Sequence, residues 1–171
     1  AGIAVLSPHT AFDSCREGIN QRLATGLGLL DIQPLVSVGD DPSIGTGRYG
    51  QLDTPQALDA LSDRVKRFLN VDRVQVVGSW QRMIQRVAVG CGSAGDLLEA
   101  ARQQGCDCFV TGEARFHTAL DAEATGMALI LAGHYATERF GIEALSGVLK
   151  GAFPDLKVWP SHREQDPLRW R

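Results

Sequence analysis

The sequence predicts an α/β fold, and three stretches carry that expectation. Gly126 to Glu138 reads G-M-A-L-I-L-A-G-H-Y-A-T-E, in which the apolar run Met127 to Leu131 is closed by Ala132-Gly133. A short, wholly apolar run bounded by glycines reads as a buried parallel strand. Around Gly90 to Gly95 lies a compact βαβ unit. The strand R-V-A-V meets G-C-G-S-A-G, the helix D-L-L-E-A-A-R-Q-Q ends at Gly105, and the strand C-F-V-T reaches Gly112 and Glu113. At Thr54-Pro55 an N-cap residue precedes a proline at the first helical position, which marks a helix start. Leu58, Leu61, Val65, Phe68 and Leu69 give that helix one apolar side as far as Asn70.

The remaining elements follow from local pattern. Ile3 to Leu6 is strand-like almost from the first residue, and Ser7-Pro8 stops it ahead of His9 to Asp13. Ile19 to Leu27 carries apolar residues at 19, 23, 24 and 27, a helical stripe that Gly26 and Gly28 can end. Leu30 to Val38 is extended but interrupted by Pro34, which places it at a sheet edge. Asp40 to Gly50 is rich in glycine and reads as a connecting loop able to approach a ligand closely, with Arg48 and Tyr49 as its large groups. Val71 to Val77 is a strand, Gly78 to Gln81 a turn, and Val87 to Val89 begins the βαβ unit. A helix opens near Phe116 and takes in Asp121 to Ala124. A further helix follows Gly133, Ile142 to Leu149 is the last helix, and Leu156 to Trp159 is a final strand before the charged tail.

Bulk properties narrow the function classes. At 171 residues the chain can form one fair-sized domain or two small ones. A hydrophobic content of 44% with 22% charged residues is ordinary for a globular chain. The net charge of -3 supplies no basic field for nucleic acid. No run approaches the roughly 18–20 apolar residues of a membrane span. The opening A-G-I-A-V-L-S-P lacks the basic start of a signal peptide. The four cysteines, Cys15, Cys91, Cys106 and Cys108, have no zinc-ribbon spacing. Cys106 and Cys108 flank one residue of a strand-like run, so their side chains should share a face, where a disulfide is geometrically poor. Reduced thiols in a cytoplasmic protein are therefore expected.

Chemistry concentrates at strand ends. G-I-A-V-L-S-P-H-T-A-F-D and G-M-A-L-I-L-A-G-H-Y-A-T-E each run from glycine through an apolar stretch to a histidine, with a carboxylate four residues later. On a helix that spacing puts both groups on one face. His9 with Asp13 and His134 with Glu138 would then sit at the carboxyl ends of strands, where open α/β sheets place ligands. Two such ends suggest a duplicated α/β unit, and facing each other they would suit a divalent first-row metal. H-T-A-L-D, His117 to Asp121, repeats the pattern a third time, whereas His162 in the tail reads as a surface residue. G-C-G-S-A-G follows a strand and opens a helix, so dinucleotide binding, a phosphate contact and tight packing all remain open, with Glu113 as the nearest acidic partner. Cys91, near a helix start, is read as a structural thiol rather than a nucleophile.

These residues resemble one family. S-P-H-T-A-F-D with G-I-N-Q-R-L-A, G-R-Y-G-Q-L, V-A-V-G-C-G-S-A-G, T-G-E-A-R-F-H-T-A-L-D-A, A-G-H-Y-A-T-E and the late D-P-L are similar, in the same order, to motifs of the Nif-three-like family. Its bacterial members are often called GTP cyclohydrolase 1 type 2 homologues. The resemblance implies two similar α/β units with mixed sheets facing a central dinuclear metal site. The first unit would be incomplete in this chain: residues 1–50 would be its later part and residues 51–171 the second, with the C-terminal part free to return to the first. It implies Asp13, His134 and Glu138 as metal ligands, with His9 and His117 lining the same pocket as proton-moving groups. Two divalent ions per subunit (zinc, manganese or iron), a toroidal homohexamer and a nucleotide substrate follow from the same likeness, with no membrane partner. So does a hydrolase-like site in which two ions share a water that attacks carbon 8 of guanine, the loops at 45–50 and 90–95 holding phosphate. A metal-binding scaffold or regulatory protein without turnover is the alternative. The family's adjacent histidine pair has no counterpart here, since only eight residues precede His9; the resemblance implies that it lies upstream of Ala1.

Overall fold

Short apolar runs pair into one six-stranded mixed sheet. The computed structural model describes residues 2–169. In chain order the elements are α1 (His9–Ser14), α2 (Ile19–Gly26), β1 (Leu30–Ser37), β2 (Gly45–Ala57), α3 (Leu58–Leu69), β3 (Gln75–Val77), β4 (Met83–Gly90), α4 (Leu98–Gln103), β5 (Cys108–Thr111), α5 (Phe116–Thr125), β6 (Ala128–Leu131) and α6 (His134–Ala152). The strand order is β1-β2-β4-β5-β6-β3. β4, β5 and β6 are parallel, and the outer strands are antiparallel to their neighbours. The division drawn at residue 50 is crossed by β2, which is hydrogen-bonded to β1 on one side and β4 on the other.

The three parallel strands are covered on both faces. Val87, Val89, Cys108, Val110, Ala128 and Ile130 join α2 and α3 in one apolar cluster, which Phe140 of α6 also packs against. Ala88, Phe109 and Leu129 point the other way, to Leu98 and Ala101 of α4 and Ala122 of α5. Alternate residues thus feed opposite layers, and each run reads as continuously apolar because neither layer is solvent. Phe140 also meets Phe68 of α3 edge to face, with centroids 5.3 Å apart.

Several local expectations are corrected. Asp40 to Gly50 is only partly a loop, because β2 begins at Gly45. The glycines there allow close strand approach: a side chain at Gly50 would strike the Leu30 carbonyl, 2.6 Å away. Thr54-Pro55 does not start a helix. Strand β2 continues to Ala57, and Pro55 sits where the β2–β4 register shifts between Gln51 and Gln56, the kind of position where a missing N–H is tolerated. Helix α3 starts at Leu58 because carbonyls of the 80–82 turn receive its first donors, Leu58 N–H to Arg82 at 2.9 Å and Asp59 N–H to Trp80 at 3.1 Å. The strand expected at 71–77 shrinks to Gln75–Val77, and one helix, α6, runs from His134 through the separate helix expected at 142–149. Ile3 to Leu6 and Leu156 to Trp159 are not strands among the described residues. Ile3 is 79% exposed and Trp159 65%, and an apolar run without a hydrogen-bonding neighbour does not form a ladder. Cys106 and Cys108 fall in opposite apolar clusters, since β5 starts only at Cys108 and Cys106 belongs to the turn before it. All four cysteines are free thiols, and burial pushes the Cys106 thiol up to about 11.

One buried cation holds the first helix to the sheet. Arg48 of β2 is 1% exposed. Its guanidinium donates to the carbonyls of Gly45 (2.6 Å), Gly47 (2.7 Å) and Cys15 (2.8 Å), and to Gln21 Oε1 (3.0 Å). Ser14 O, in the last turn of α1, lies 3.3 Å away. Burial lowers the guanidinium's pKa from its ordinary value, yet each of its nitrogens donates to a carbonyl or amide oxygen. Arg48→Met keeps the bulk and removes the donors, so unfolding in urea should show a loss of about 2–4 kcal/mol, each orphaned buried carbonyl costing about 1–3 kcal/mol before water refills part of the site.

Candidate functional site

The carboxyl ends of the parallel strands lie in register, Gly90 beside Thr111 and Thr111 beside Leu131. The chain continues past them as Cys91-Gly92, Gly112-Glu113 and Gly133-His134. Backbone bonds extend the ladder beyond the strands: Glu113 N–H donates to Gly92 O at 3.0 Å and Gly133 N–H to Gly112 O at 2.8 Å. Gly133 has φ 95°, open to glycine, and α6 starts at the next residue. His134 therefore opens the helix at the strand end, and Glu138 stands one turn on. His134 Nε2 lies 3.3 Å from Glu138 Oε2.

The opposing wall comes from α1. A cleft of about 460 Å³ is lined by His9, Thr10, Asp13 and Asn20 from the N-terminal helices, Cys91 and Ser93 from the glycine loop, and His134 and Glu138 from α6. Asn20, which is buried, ties the walls together: its Nδ2 donates to Asp13 O at 3.0 Å and its Oδ1 accepts from Cys91 N–H at 2.7 Å. Burial raises the pKa of Asp13, the Glu138 carboxylate raises it further, and His9 pulls it back down. Two carboxylates thus face each other across the cleft, an arrangement a cation would relieve. Cys91 is driven well above its ordinary thiol value by burial and by the same two carboxylates, which fits a structural thiol and not a nucleophile.

Glycines decide how closely the walls meet. Gly92, at φ 65°, lies against Glu138 Oε1 and His134 Nε2, leaving no room for a Cβ. A Cβ at Gly112 would come within 2.6 Å of Gly92 O and 3.0 Å of His134 Cα. Thr137, fully buried, accepts from Gly92 N–H at 3.0 Å and donates to His134 O at 2.9 Å, fastening the loop to the first turn of α6. The G-C-G-S-A-G motif accordingly serves close packing, and the helix after it begins as a 3-10 turn, Gly95–Leu97, before the six-residue α4.

Not every candidate histidine reaches the cleft. His117 is exposed in the first turn of α5 and is not among the cleft's lining residues. Helix α5 buries Ala122, which turns both His117 and Asp121 toward solvent. In this structure His117 therefore stands outside the cleft that His9, Asp13, His134 and Glu138 line. His162 is exposed in the tail. Conversely, Asn20, Thr137 and Glu113 organise the site, although only Glu113 stands out in the sequence, as the nearest acidic partner of the glycine motif. Asn20 and Thr137 sit inside helical patterns where a polar side chain gives no local sign of a distant partner.

The donor set suits a metal ion in part. Donors each about 2.0–2.2 Å from one tetrahedral ion stand about 3.3–3.5 Å apart, and the His134–Glu138 separation of 3.3 Å matches that bite. Among the described residues, however, no three histidine, cysteine, aspartate or glutamate side chains converge closely enough to hold an ion by themselves. None of the described helices is long and apolar enough to cross a membrane.

Comparison with known proteins agrees with the fold. The family model described as Duf34/NIF3 (NGG1p interacting factor 3) matches residues 1–167. The chain is 34% identical over 175 residues to the GTP cyclohydrolase 1 type 2 homolog of Clostridium acetobutylicum, covering 99% of this chain and 65% of that protein. It is 33% identical over 181 residues to the NGG1-interacting factor 3 of Saccharomyces cerevisiae, covering 98% of this chain and 62% of the relative. The chain thus spans less than two thirds of either relative. A crystal structure of a Staphylococcus aureus hypothetical protein superposes with a TM-score of 0.86 at 25% identity, covering 95% of this chain and 67% of that one.

Two outcomes follow from the geometry. Gly112→Ala meets backbone on two sides and should cost about 2–4 kcal/mol, since forced overpacking costs about 1–3 kcal/mol or more. Gly92→Ala meets a side-chain end and should cost only about 1–2 kcal/mol, the left-handed strain of a non-glycine residue. Denaturant melts of the two variants check that order. The raised pKa of Asp13 means that the folded state binds its proton more readily than the unfolded chain, so stability falls as pH rises from the ordinary aspartate value through the folded one. In chelator, Asp13→Asn should flatten that fall and leave the variant more stable than wild type at neutral pH; urea melts across a pH series measure it.

Proposed function

This chain belongs to the Duf34/NIF3 family, and from that membership we propose that it binds divalent metal through Asp13, His134 and Glu138 and takes part in hydrolysis of a nucleotide or related compound. The observation that carries the proposal is the one cleft that these three residues line, with the Glu138 carboxylate near enough to raise the pKa of Asp13. The complete site is proposed to take two ions per subunit, with further donors supplied by residues beyond this chain. A bound divalent ion would supply Lewis acidity and a lowered pKa for a coordinated water. The chain's own groups do the rest. Asp13 and Glu138 offer anionic oxygen, His134 offers Nε2, and the Gly92 loop holds the two walls at a fixed spacing. His9, which lines the cleft and lies close enough to perturb Asp13, is the group proposed to accept or return a proton. A ring-shaped homohexamer belongs to the same proposal.

GTP is the substrate to test, because several relatives are named as homologs of GTP cyclohydrolase 1 type 2. A second reading, a metal-binding scaffold without turnover, draws on the yeast relative, whose name records an interaction with NGG1. The two readings separate in one assay. The full-length protein is loaded with Mn²⁺, Zn²⁺ or Fe²⁺, incubated with GTP, and products are followed by chromatography. Turnover with any of the metals supports hydrolysis, whereas full metal occupancy with none favours the scaffold. Elemental analysis of His134→Ala and Asp13→Ala should find most of the bound metal lost, and unchanged stoichiometry in both would remove the metal assignment.

A further inference from the structure

Glu113 lies outside the proposed ligand set, yet it makes a shorter contact to the His134 ring than Glu138 does: its Oε1 stands 2.9 Å from Nδ1. We propose that Glu113 is a positioning residue, which captures the Nδ1 proton of His134 and so presents the Nε2 lone pair to the cleft as a metal donor. The inference deepens the reading above and rests on His134 being a ligand. A neutral imidazole has one N–H and one lone pair, and an ionised carboxylate can only accept. A second carboxylate, Glu138 Oε2, stands 3.3 Å from Nε2, but the 2.9 Å Glu113 contact is the shorter, so the neutral ring keeps its proton on Nδ1 and its lone pair on Nε2, toward Glu138 and Gly92.

The backbone delivers this contact. Glu113 is the second residue past β5, and its N–H is bonded to Gly92 O at 3.0 Å. Gly112, beside it, leaves only 3.0 Å between an added Cβ and His134 Cα, so the Glu113 main chain runs directly along the start of α6. The Glu113 side chain is 51% exposed and that of His134 43%. Water therefore screens much of the charge attraction, and what remains is direction: which nitrogen carries the proton and how the ring is turned. Carboxylates that hold the far nitrogen of a ligating histidine perform this service in many metal sites. The sequence placed Glu113 at the end of its strand between two candidate motifs; among the described residues its side chain bonds to His134.

The test reads the ring before it reads any metal. The full-length protein is labelled with ¹⁵N and kept in chelator at a pH well above the ordinary imidazole value, and long-range proton–nitrogen correlation spectra report the His134 tautomer. Wild type and Glu113→Gln, whose amide oxygen still accepts the Nδ1 proton, should both show protonated Nδ1 and bare Nε2. In Glu113→Ala the Nε2–H form should appear. Calorimetric titration with Zn²⁺ should then give Glu113→Ala an affinity lower by about 10–100-fold, with Glu113→Gln close to wild type. The same tautomer in all three proteins overturns the inference, and so does a Glu113→Ala variant that binds Zn²⁺ as tightly as wild type. If wild type takes up no Zn²⁺ while the tautomer still switches, the control of His134 by Glu113 stands and its assignment as a metal ligand falls.

Discussion

The cleft depends on the absence of side chains at Gly92 and Gly112. Through these two positions the loop after β4, the turn after β5 and the first turn of α6 come into main-chain contact. Thr137 closes the arrangement by bonding to both the loop and the helix. Imidazole and carboxylate are then presented from a surface whose parts cannot slide past each other. A methyl group at Gly112 would press apart the Gly92 carbonyl and the start of α6, and one at Gly92 would displace the Glu138 carboxylate and the His134 ring. The fold of the parallel strands would survive such a change more readily than the spacing at their ends.

The other wall is held by a different device. Helix α1 has six residues, of which only Ser14 is buried, too little to dock by apolar burial alone. Arg48 collects the carbonyls at its C-terminal end, and Asn20 joins Asp13 to the glycine loop. Both are polar side chains sealed from water, and both are satisfied. Such groups carry direction as well as energy, because an alternative placement of α1 would leave buried donors and acceptors unmatched. Asp13 is therefore held where burial raises its pKa and the Glu138 carboxylate raises it further.

Sequence patterns served best where burial is two-sided. The runs ending at Gly90, Thr111 and Leu131 are apolar throughout because both of their faces meet helices, and they were legible as parallel strands without any partner in view. They failed where a local signal had two physical meanings. Proline after threonine marks a helix start or a strand irregularity, and at Thr54-Pro55 the pairing of β2 with β4 chose the second. Glycines clustered at 45–50 mark a loop or a close strand, and β1 chose the strand. Ile3 to Leu6 and Leu156 to Trp159 have strand composition but no neighbouring strand among the described residues.

Composition and spacing alone determined that this chain is α/β and that a histidine four residues before a carboxylate is a unit it repeats. Three segments carry that unit with equal local merit: H-T-A-F-D, H-T-A-L-D and H-Y-A-T-E. Only the tertiary structure separates them. Burial of Ala122 rotates His117 and Asp121 to solvent, while Arg48 and Asn20 turn Asp13 inward and the glycine contacts bring Glu138 to meet it. Spacing fixes which side chains share a face of a helix, but the direction of that face is set by what the helix packs against, and those partners lie tens of residues away in the chain.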